Sequence, residues 1–284
     1  MTLTSDPKVA APQDDAACGA VAITEWRHRD GAFARTDAAL AVEAPIALEY
    51  NGIAHAVMLA TPRDLEDFAL GFSLGEGILR DAADLYRVEI QPAAPGLTLA
   101  LEVAAGAFAE LKQRRRTLAG RTGCGICGTE SLDQVLRPLP ELALANWRLS
   151  TAALAKATAA LAAAQPLLQQ TGATHGAAWC ALDGSLLQVR EDVGRHNALD
   201  KLVGALRRAH APTDRGFALI TSRASVEMVQ KAATAGISVL AAVSGPTSLA
   251  VEVARRCGLT LIGFARGANF SVYTHRARIA DAPP

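Results

Sequence analysis

The sequence is poor in aromatic residues, has no long apolar runs and carries no net charge. Only 5% of its 284 residues are Phe, Trp or Tyr, and Lys plus Arg balance Asp plus Glu at 28 each. This balance gives no field that would attract nucleic acid or an acidic membrane, so we expect neither as a partner. No apolar run could span a membrane, and residues 1–17 lack the order of a signal peptide. We predict a cytoplasmic protein in which residues 1–18 are disordered.

Cysteine is also scarce, and its number is odd. Five cysteines spread along the chain argue against a disulfide-built scaffold and fit a reducing compartment. Cys18, Cys180 and Cys257 stand alone in sequence, as small residues of a core do. The other two, Cys124 and Cys127, form a Cys-x-x-Cys pair.

Glycines surround this pair, and arginines precede it. The four glycines are Gly120, Gly123, Gly125 and Gly128. Their backbone freedom predicts a mobile loop over residues 119–130. The four arginines are Arg114, Arg115, Arg116 and Arg121. Nearby cations lower the pKa of a thiol toward the thiolate, which is the nucleophile and the sulfur carrier, so we predict sulfur chemistry at Cys124 and Cys127.

Three other interpretations of the pair fit the sequence less well. A structural zinc site needs four ligands, and no second pair stands at a suitable spacing. A thioredoxin-like redox motif is expected at a strand-to-helix junction, whereas this pair lies between predicted helices. Zinc deaminases join His-x-Glu to Pro-Cys-x-x-Cys, but no histidine here is followed by such a Glu, and Gly123 replaces the proline. We therefore predict no metal site.

The first half of the chain predicts a small α+β domain over residues 19–118. Two apolar runs within residues 42–60 meet at Asn51-Gly52, the dipeptide typical of a hairpin turn. Thr61 then fits the N-cap of an amphipathic helix that extends to Ile78. Further elements are strands near 85–91 and 97–103 and helices over 106–118 and 151–165.

The second half, residues 150–284, alternates strands with helices. The predicted strands are 176–182, 185–192, 217–221, 237–243 and 259–264, and the predicted helices are 196–209, 224–235 and 247–257. Uniformly apolar strands separated by helices indicate a mainly parallel sheet covered on both faces, with an antiparallel hairpin at its start. We therefore predict an α/β sandwich as the larger domain.

Polar loops follow several of these strands, and in open α/β sheets ligands bind at the carboxyl ends of the strands. Arg195, Arg223 and Arg266 come from three such loops, and converging guanidinium groups suit phosphate oxygens. Ser225 and the Thr247-Ser248 pair precede helix N-termini, where free N–H groups attract phosphate. We expect an anionic, nucleotide-like ligand at this edge.

The same residues have plainer interpretations. Each serine or threonine fits a simple N-cap, and His196 fits a structural hydrogen-bonding role. Asp200 and Lys201 fit a solvated helix face, and Met228 fits a core position. The coincidence of three polar loops is what favours a binding site.

Five motifs in order resemble those of the FdhD family, the accessory sulfurtransferases required for formate dehydrogenase activity. The motifs lie at residues 123–128, 193–201, 222–232, 242–250 and 263–267, and the resemblance covers roughly residues 37–275. It implies a fold similar to that of the cytidine deaminases, without their zinc site. It also implies homodimers.

The resemblance further implies a sulfur relay. A cysteine desulfurase passes sulfur to Cys124 as a persulfide, and the protein delivers it to molybdenum cofactor in its bis(molybdopterin guanine dinucleotide) form, for use in formate dehydrogenase. The family's cofactor-binding segment falls on Phe264, Ala265, Arg266, Gly267, Ala268 and Asn269. Besides this sulfurtransferase, a non-catalytic nucleotide- or cofactor-binding chaperone with redox-sensing thiols stays open.

Overall fold

The computed structural model describes residues 19–117, 138–143 and 146–280. The predicted disordered start and the predicted cysteine loop, with Cys124 and Cys127, lie outside the described residues. The described chain is a mixed α/β protein with a smaller α+β part at its amino end, so the predicted fold class is confirmed.

The first described element is a long antiparallel ribbon that the sequence analysis did not predict. Strands β1 (Ala20–Arg29) and β2 (Ala32–Ala41) pair along their whole lengths. Asp30 and Gly31 join them with φ angles of 50° and 81°. Such a turn matches the twist of the two strands. Beyond the base of this ribbon, most side chains of β1 and β2 are exposed or half-buried. The sequence pattern therefore lacked the buried face from which strands are predicted.

A four-stranded sheet follows, in the order β4-β3-β6-β5. Its strands are β3 (Ala44–Tyr50), β4 (Ile53–Ala60), β5 (Leu85–Ala93) and β6 (Gly96–Val103). The predicted hairpin is confirmed, because Asn51 and Gly52 turn the chain with φ angles of 45° and 77°. Helices α1 (Leu65–Gly75) and α2 (Ala105–Thr117) belong to the same part of the chain. Buried residues such as Leu48, Phe68 and Leu99 form its core.

The predicted N-cap of α1 is wrong. Asp64, with a φ of 51°, stands at the cap position and makes no side-chain cap bond. Thr61 is instead buried against the second half of the chain: its backbone N–H donates to Asp192 Oδ2 at 3.0 Å, and its hydroxyl accepts from the Val193 N–H at 3.2 Å. A long-range contact has taken the hydroxyl that a local cap would have used.

The larger part of the chain forms a six-stranded sheet in the order β12-β11-β10-β9-β7-β8. Its strands are β7 (His175–Cys180), β8 (Leu186–Asp192), β9 (Phe217–Ile220), β10 (Val239–Ala242), β11 (Thr260–Arg266) and β12 (Asn269–Val272). The three central strands β9, β10 and β11 pair in parallel, whereas the β7–β8 hairpin and β12 add antiparallel edges. The predicted parallel strands and the predicted antiparallel hairpin at the start of the sheet are therefore confirmed, whereas the antiparallel edge strand β12 was not predicted.

Helices cover both faces of this sheet. They are α3 (Thr151–Leu161), α4 (Pro166–Thr171), α5 (Arg195–Arg208), α6 (Val226–Thr234) and α7 (Ser248–Cys257). Helices α5, α6 and α7 pack with Trp179 and Leu240 on one face, and α3 packs with Cys180 and Ala241 on the other. The predicted helix 151–165 ends at Leu161, and Pro166 opens a separate short helix, as proline does at a first helical position.

Two glycines allow α1 and α5 to cross at close range. A Cβ atom on Gly71 would lie 1.7 Å from the Asp200 carbonyl oxygen, and one on Gly204 would lie 1.8 Å from the Asp67 carbonyl oxygen. Any larger residue would push the helices apart. This crossing packs the amino-terminal part of the chain against the helices of the larger sheet.

Candidate functional site

The candidate site is the edge of the six-stranded sheet at which its parallel strands end. Strands β8, β9, β10 and β11 run in one direction, and β7, antiparallel to its neighbours, brings its first residue, His175, to the same edge. We call this edge, with the loops at residues 193–197, 222–227, 244–248 and 264–269, the strand-end edge. It contains every cofactor-binding residue that the sequence analysis predicted.

The three predicted arginines are spread along this edge. Arg195 follows β8, Arg223 follows β9 and Arg266 ends β11, so two strand spacings separate each from the next. At about 4.8 Å per spacing, the outer pair lie on strands roughly 19 Å apart. Arg223 and Arg266 are exposed, and Arg266 Nε donates to the Val243 carbonyl oxygen at 3.3 Å. The row fits an elongated ligand with several anionic groups better than a single phosphate.

The helix starts at this edge differ in how their polar groups are satisfied. Thr247 caps α7, because its hydroxyl accepts from the Ala250 N–H at 3.3 Å, so the plain N-cap interpretation is correct there. Ser248 follows it and is exposed. Ser225 occupies the same position before α6, yet its buried hydroxyl makes no cap bond and has no hydrogen-bond partner among the described residues.

Three further buried polar atoms beside Ser225 lack a hydrogen-bond partner within the described chain. They are Arg195 Nε, His196 Nε2 and Glu227 Oε2. Arg195 and His196 open α5, and Glu227 lies in the first turn of α6. Buried polar atoms of folded proteins are almost always paired, so a group of unpaired atoms at two adjacent helix starts indicates a ligand site.

Burial and neighbouring charges keep the imidazole of His196 neutral. Burial, together with the positive charges of Arg195 and Lys231, lowers the pKa of His196 to about 4, against the opposing carboxylates of Glu227 and Glu76. Near neutral pH the ring therefore carries one proton and can accept a hydrogen bond at one nitrogen.

For Glu227, the neighbouring groups act on the pKa more strongly than burial does. Burial raises the pKa of this carboxyl, but the Ser225 hydroxyl, the residue's own backbone N–H, His196 and Arg195 outweigh it and bring the pKa below its ordinary value. The hydroxyl is thus close to the carboxylate, although it lacks the geometry of a hydrogen bond. An ionised acceptor stands beside a neutral imidazole.

His175 and Glu227 were missed by the sequence analysis. Burial and the charge of Arg195 lower the pKa of His175, against the opposing effect of Asp192. Nothing local in the sequence marks His175, because only the sheet order brings the start of β7 to the ends of its neighbours. Glu227 fits an ordinary first-turn acid that complements the helix dipole, and only its unpaired oxygen distinguishes it.

The predicted cofactor segment at residues 264–269 carries backbone strain. Phe264 is half-exposed and has a φ of 54°, a left-handed conformation that is unusual for a bulky side chain. Its ring lies against Gly245, where a Cβ atom would be 2.7 Å from the ring Cζ. Ala265 is buried, whereas Gly267, Ala268 and Asn269 are exposed. Strained residues of this kind concentrate at functional sites.

A buried ion pair holds the loop that carries Arg195 and His196. Lys201 Nζ lies 2.6 Å from Asp192 Oδ2, and both side chains are fully buried. Asp192 Oδ1 accepts from the Gly194 N–H at 2.8 Å and from Asn197 Nδ2 at 3.0 Å. The interpretation of Asp200 and Lys201 as a solvated helix face is therefore wrong.

Asp200, the residue before Lys201 on α5, is also held by a buried ion pair. Lys231 Nζ donates to Asp200 Oδ1 at 2.8 Å and to Glu76 Oε1 at 3.1 Å. Burial lowers the pKa of Lys231, but the two carboxylates outweigh it, so the pKa lies above its ordinary value. Met228, predicted for the core, is fully buried.

A cavity of about 860 Å³ lies elsewhere, between α1 and the carboxyl-terminal halves of α5 and α6. Its cations are already satisfied: Arg208 pairs with Asp67 at 2.7 Å, Arg207 donates to the Ala235 carbonyl oxygen at 2.9 Å, and Lys231 is paired as above. Because its charges have partners, this cavity offers a charged ligand less than the strand-end edge does.

Comparisons with known proteins decide the family. The family model described as FdhD/NarQ matches residues 41–280. The chain belongs to the FdhD/NarQ family. It is 59% identical to "Sulfur carrier protein FdhD" of Variovorax paradoxus, over 86% of this chain and 87% of that protein. It is 51% identical to "Sulfur carrier protein FdhD" of Cupriavidus necator, over 96% of this chain and 94% of that protein.

A solved structure agrees with this assignment to the FdhD/NarQ family. A candidate formate dehydrogenase accessory protein from Desulfotalea psychrophila is 26% identical and superposes with a TM-score of 0.71. The match covers 92% of this chain and 99% of that chain. The similarity therefore includes both the amino-terminal part and the six-stranded sheet.

The described cysteines of this FdhD/NarQ chain are expected to be unreactive. Cys180 is fully buried, and burial raises the pKa of its thiol to about 12. Burial also raises the pKa of Cys257. A protonated, buried thiol is a poor nucleophile, so neither residue fits a sulfur carrier.

Two features are absent from the described residues. Within them, no three or more His, Cys, Asp or Glu side chains are grouped so that they could hold a metal ion. Over the same residues, no helix combines the length and the apolar character that crossing a membrane requires.

Proposed function

We propose that this chain is a sulfur carrier that receives sulfur from a cysteine desulfurase as a persulfide on Cys124. It then delivers that sulfur to molybdenum cofactor in its bis(molybdopterin guanine dinucleotide) form, and formate dehydrogenase is the enzyme served. In this proposal the protein is a sulfurtransferase, Cys127 assists Cys124, and the working form is a homodimer. The family membership and the names of the relatives, sulfur carrier proteins, support the sulfur-carrier role.

The observation that carries the binding half of the proposal is the group of unpaired polar atoms at the strand-end edge. Four such atoms belong to the starts of α5 and α6, and Ser225, His196 and Arg195 all lie close enough to Glu227 to lower the pKa of its carboxyl. A cofactor with phosphates and heterocyclic rings supplies partners for them. Arg195, Arg223 and Arg266 then face the phosphates of the elongated dinucleotide, and the segment at residues 264–269 borders it.

The different environments of the cysteines support the proposed sulfur-carrier role. Cys180 and Cys257 are buried with raised pKa values, which leaves Cys18, Cys124 and Cys127 as the remaining thiols. Of these, the pair at Cys124 and Cys127 follows four arginines in sequence, and such cations favour the thiolate.

The test is a sulfur-loading experiment followed by mass spectrometry of the intact protein. Incubation with a cysteine desulfurase and cysteine should add one sulfur atom to the wild-type protein. The Cys124→Ala variant should gain none, and the matched control Cys180→Ala should still gain one, because that thiol is buried and protonated. Loading that persists in Cys124→Ala, or absent loading in the wild type, contradicts the carrier role and favours a binding protein without sulfur transfer.

A further inference from the structure

The four unpaired atoms at the starts of α5 and α6 are not alike, and their mixture restricts the ligand. Arg195 Nε–H can only donate a hydrogen bond, Glu227 Oε2 can only accept one, and the Ser225 hydroxyl can do both. A phosphate group satisfies donors but is repelled by a carboxylate. The group that binds here must therefore offer hydrogen-bond donors as well as an acceptor.

The charge states of Glu227 and His196 further restrict the kind of ligand group that can bind here. Glu227 is ionised near neutral pH and His196 is neutral. A ligand cation would be repelled by Arg195 and Lys231, whose charges already act on His196. A neutral N–H donor next to a neutral carbonyl is the group that satisfies the carboxylate without adding charge.

We propose that Glu227, with His196 and Ser225, binds the edge of a 2-aminopyrimidin-4-one ring. This edge presents a carbonyl oxygen, a ring N–H and an amino group side by side. The Glu227 carboxylate accepts from the ring N–H and the amino group, while Ser225 or Arg195 donates to the carbonyl. The inference rests on the proposed function, because guanine and pterin, both present in the proposed substrate, carry this same edge.

The position of the cluster fits a base rather than a second phosphate. Arg223 follows β9 just before Ser225, so a phosphate on that guanidinium would stand beside a ring held by Glu227. Capping of its own helix explains only part of the role of Glu227. Its backbone N–H lowers the pKa of its carboxyl, yet Oε2 is buried and has no hydrogen-bond partner in the described part of the chain.

The test compares guanosine diphosphate with inosine diphosphate, which lacks the amino group, by calorimetry on full-length protein. Wild type should bind guanosine diphosphate more tightly. Glu227→Gln should weaken that binding about 10- to 100-fold, the effect of losing a charged hydrogen bond, and should abolish the preference. The control Glu252→Gln removes an exposed carboxylate of α7 and should change neither affinity.

A second arm separates the two sources of the ring. If Glu227→Gln weakens 6-hydroxymethylpterin but leaves guanosine diphosphate unchanged, the bound ring is the pterin, and the proposal holds for that source. Unchanged affinity for both ligands, or tighter binding of guanosine diphosphate after the carboxylate is removed, overturns it. Thermal unfolding of each variant verifies the fold.

The test of Glu227 can fail independently of the test of the proposed function. Loading of Cys124 with sulfur is measured separately, on wild type and on the control Glu252→Gln, whose exposed carboxylate lies outside the strand-end edge and whose loading should be normal. Failure of sulfur loading in wild type therefore contradicts the carrier role, whereas failure of the base preference contradicts only the assignment of Glu227.

Discussion

Two polar regions around α5 differ in one respect. At Asp200 and Lys201 in the middle of α5, the buried charges are paired: Lys201 with Asp192, and Lys231 with Asp200 and Glu76. At the amino ends of α5 and α6, buried polar atoms such as His196 Nε2 and Glu227 Oε2 have no hydrogen-bond partner among the residues that the structure describes. The first region is complete within the chain and acts as scaffold. The second region leaves buried polar atoms without hydrogen bonds to the described residues, which indicates that a ligand binds there.

The largest expected effect comes from breaking the scaffold pair. Lys201→Met leaves Asp192 charged and buried without its partner, which should lower the free energy of unfolding by about 3–5 kcal/mol. Urea unfolding measures it. The matched control is Lys156→Met, since Lys156 pairs with Asp183 at the exposed surface and should contribute at most about 1 kcal/mol. Equal losses in the two variants would contradict a special role for the buried pair.

The helix crossing provides the next largest effect. Gly71→Ala places a methyl group against the Asp200 carbonyl oxygen and should destabilise the protein by about 2–3 kcal/mol, because the two helices must separate. Gly106→Ala is the control, since open space surrounds that position on α2. It should leave stability unchanged or raise it by up to about 1 kcal/mol. A Gly71→Ala protein as stable as wild type would refute the close crossing.

The pH dependence of stability sharpens the comparison at His196. Its folded pKa is about 4 and its ordinary value is 6.5, so between these values the unfolded state binds more protons. The stability that neutral His196 contributes is fully present above pH 6.5 and is lost as the pH falls toward 4, by about 2–3 kcal/mol. His196→Asn should lose less stability over this interval. Parallel curves for the two proteins would mean that His196 is not held neutral.

The smallest effect separates two similar hydroxyls. Thr247→Ala removes a real N-cap and should lower stability by about 1 kcal/mol. Ser225→Ala removes a hydroxyl that has no hydrogen-bond partner within the described residues and should change stability by less than about 0.5 kcal/mol. Binding of guanosine diphosphate should show the reverse order, with the larger loss in Ser225→Ala. A Ser225→Ala variant that is destabilised but binds normally would make Ser225 a structural residue.

The sequence was a good guide wherever a local pattern determined the structure. Apolar runs predicted the strands of the large sheet, and Asn51-Gly52 predicted the hairpin turn, because both depend on neighbouring residues. The β1–β2 ribbon was missed because it has little buried face. The edge pairing of β12 was missed because four residues carry too little pattern.

The candidate site was predictable in its location but not in its chemistry. Polar loops after apolar strands located the strand-end edge, and Arg195, His196 and Ser225 were identified within it. The burial of Lys201 was not predictable, because it depends on Thr61 and Asp192 from distant parts of the chain. The role of Glu227 depends on the absence of a partner for one oxygen atom, which no sequence pattern records.

The most direct test of the account is hydrogen exchange with and without guanosine diphosphate, at labelling times short enough that only local opening is measured. We expect the ligand to protect backbone amides in residues 193–197 and 222–227 and to leave the α1–α5 crossing around Gly71 unchanged. Protection that instead appears around the cavity near Leu79, Leu206 and His210, with none at the two loops, would contradict the assignment of the strand-end edge as the binding site.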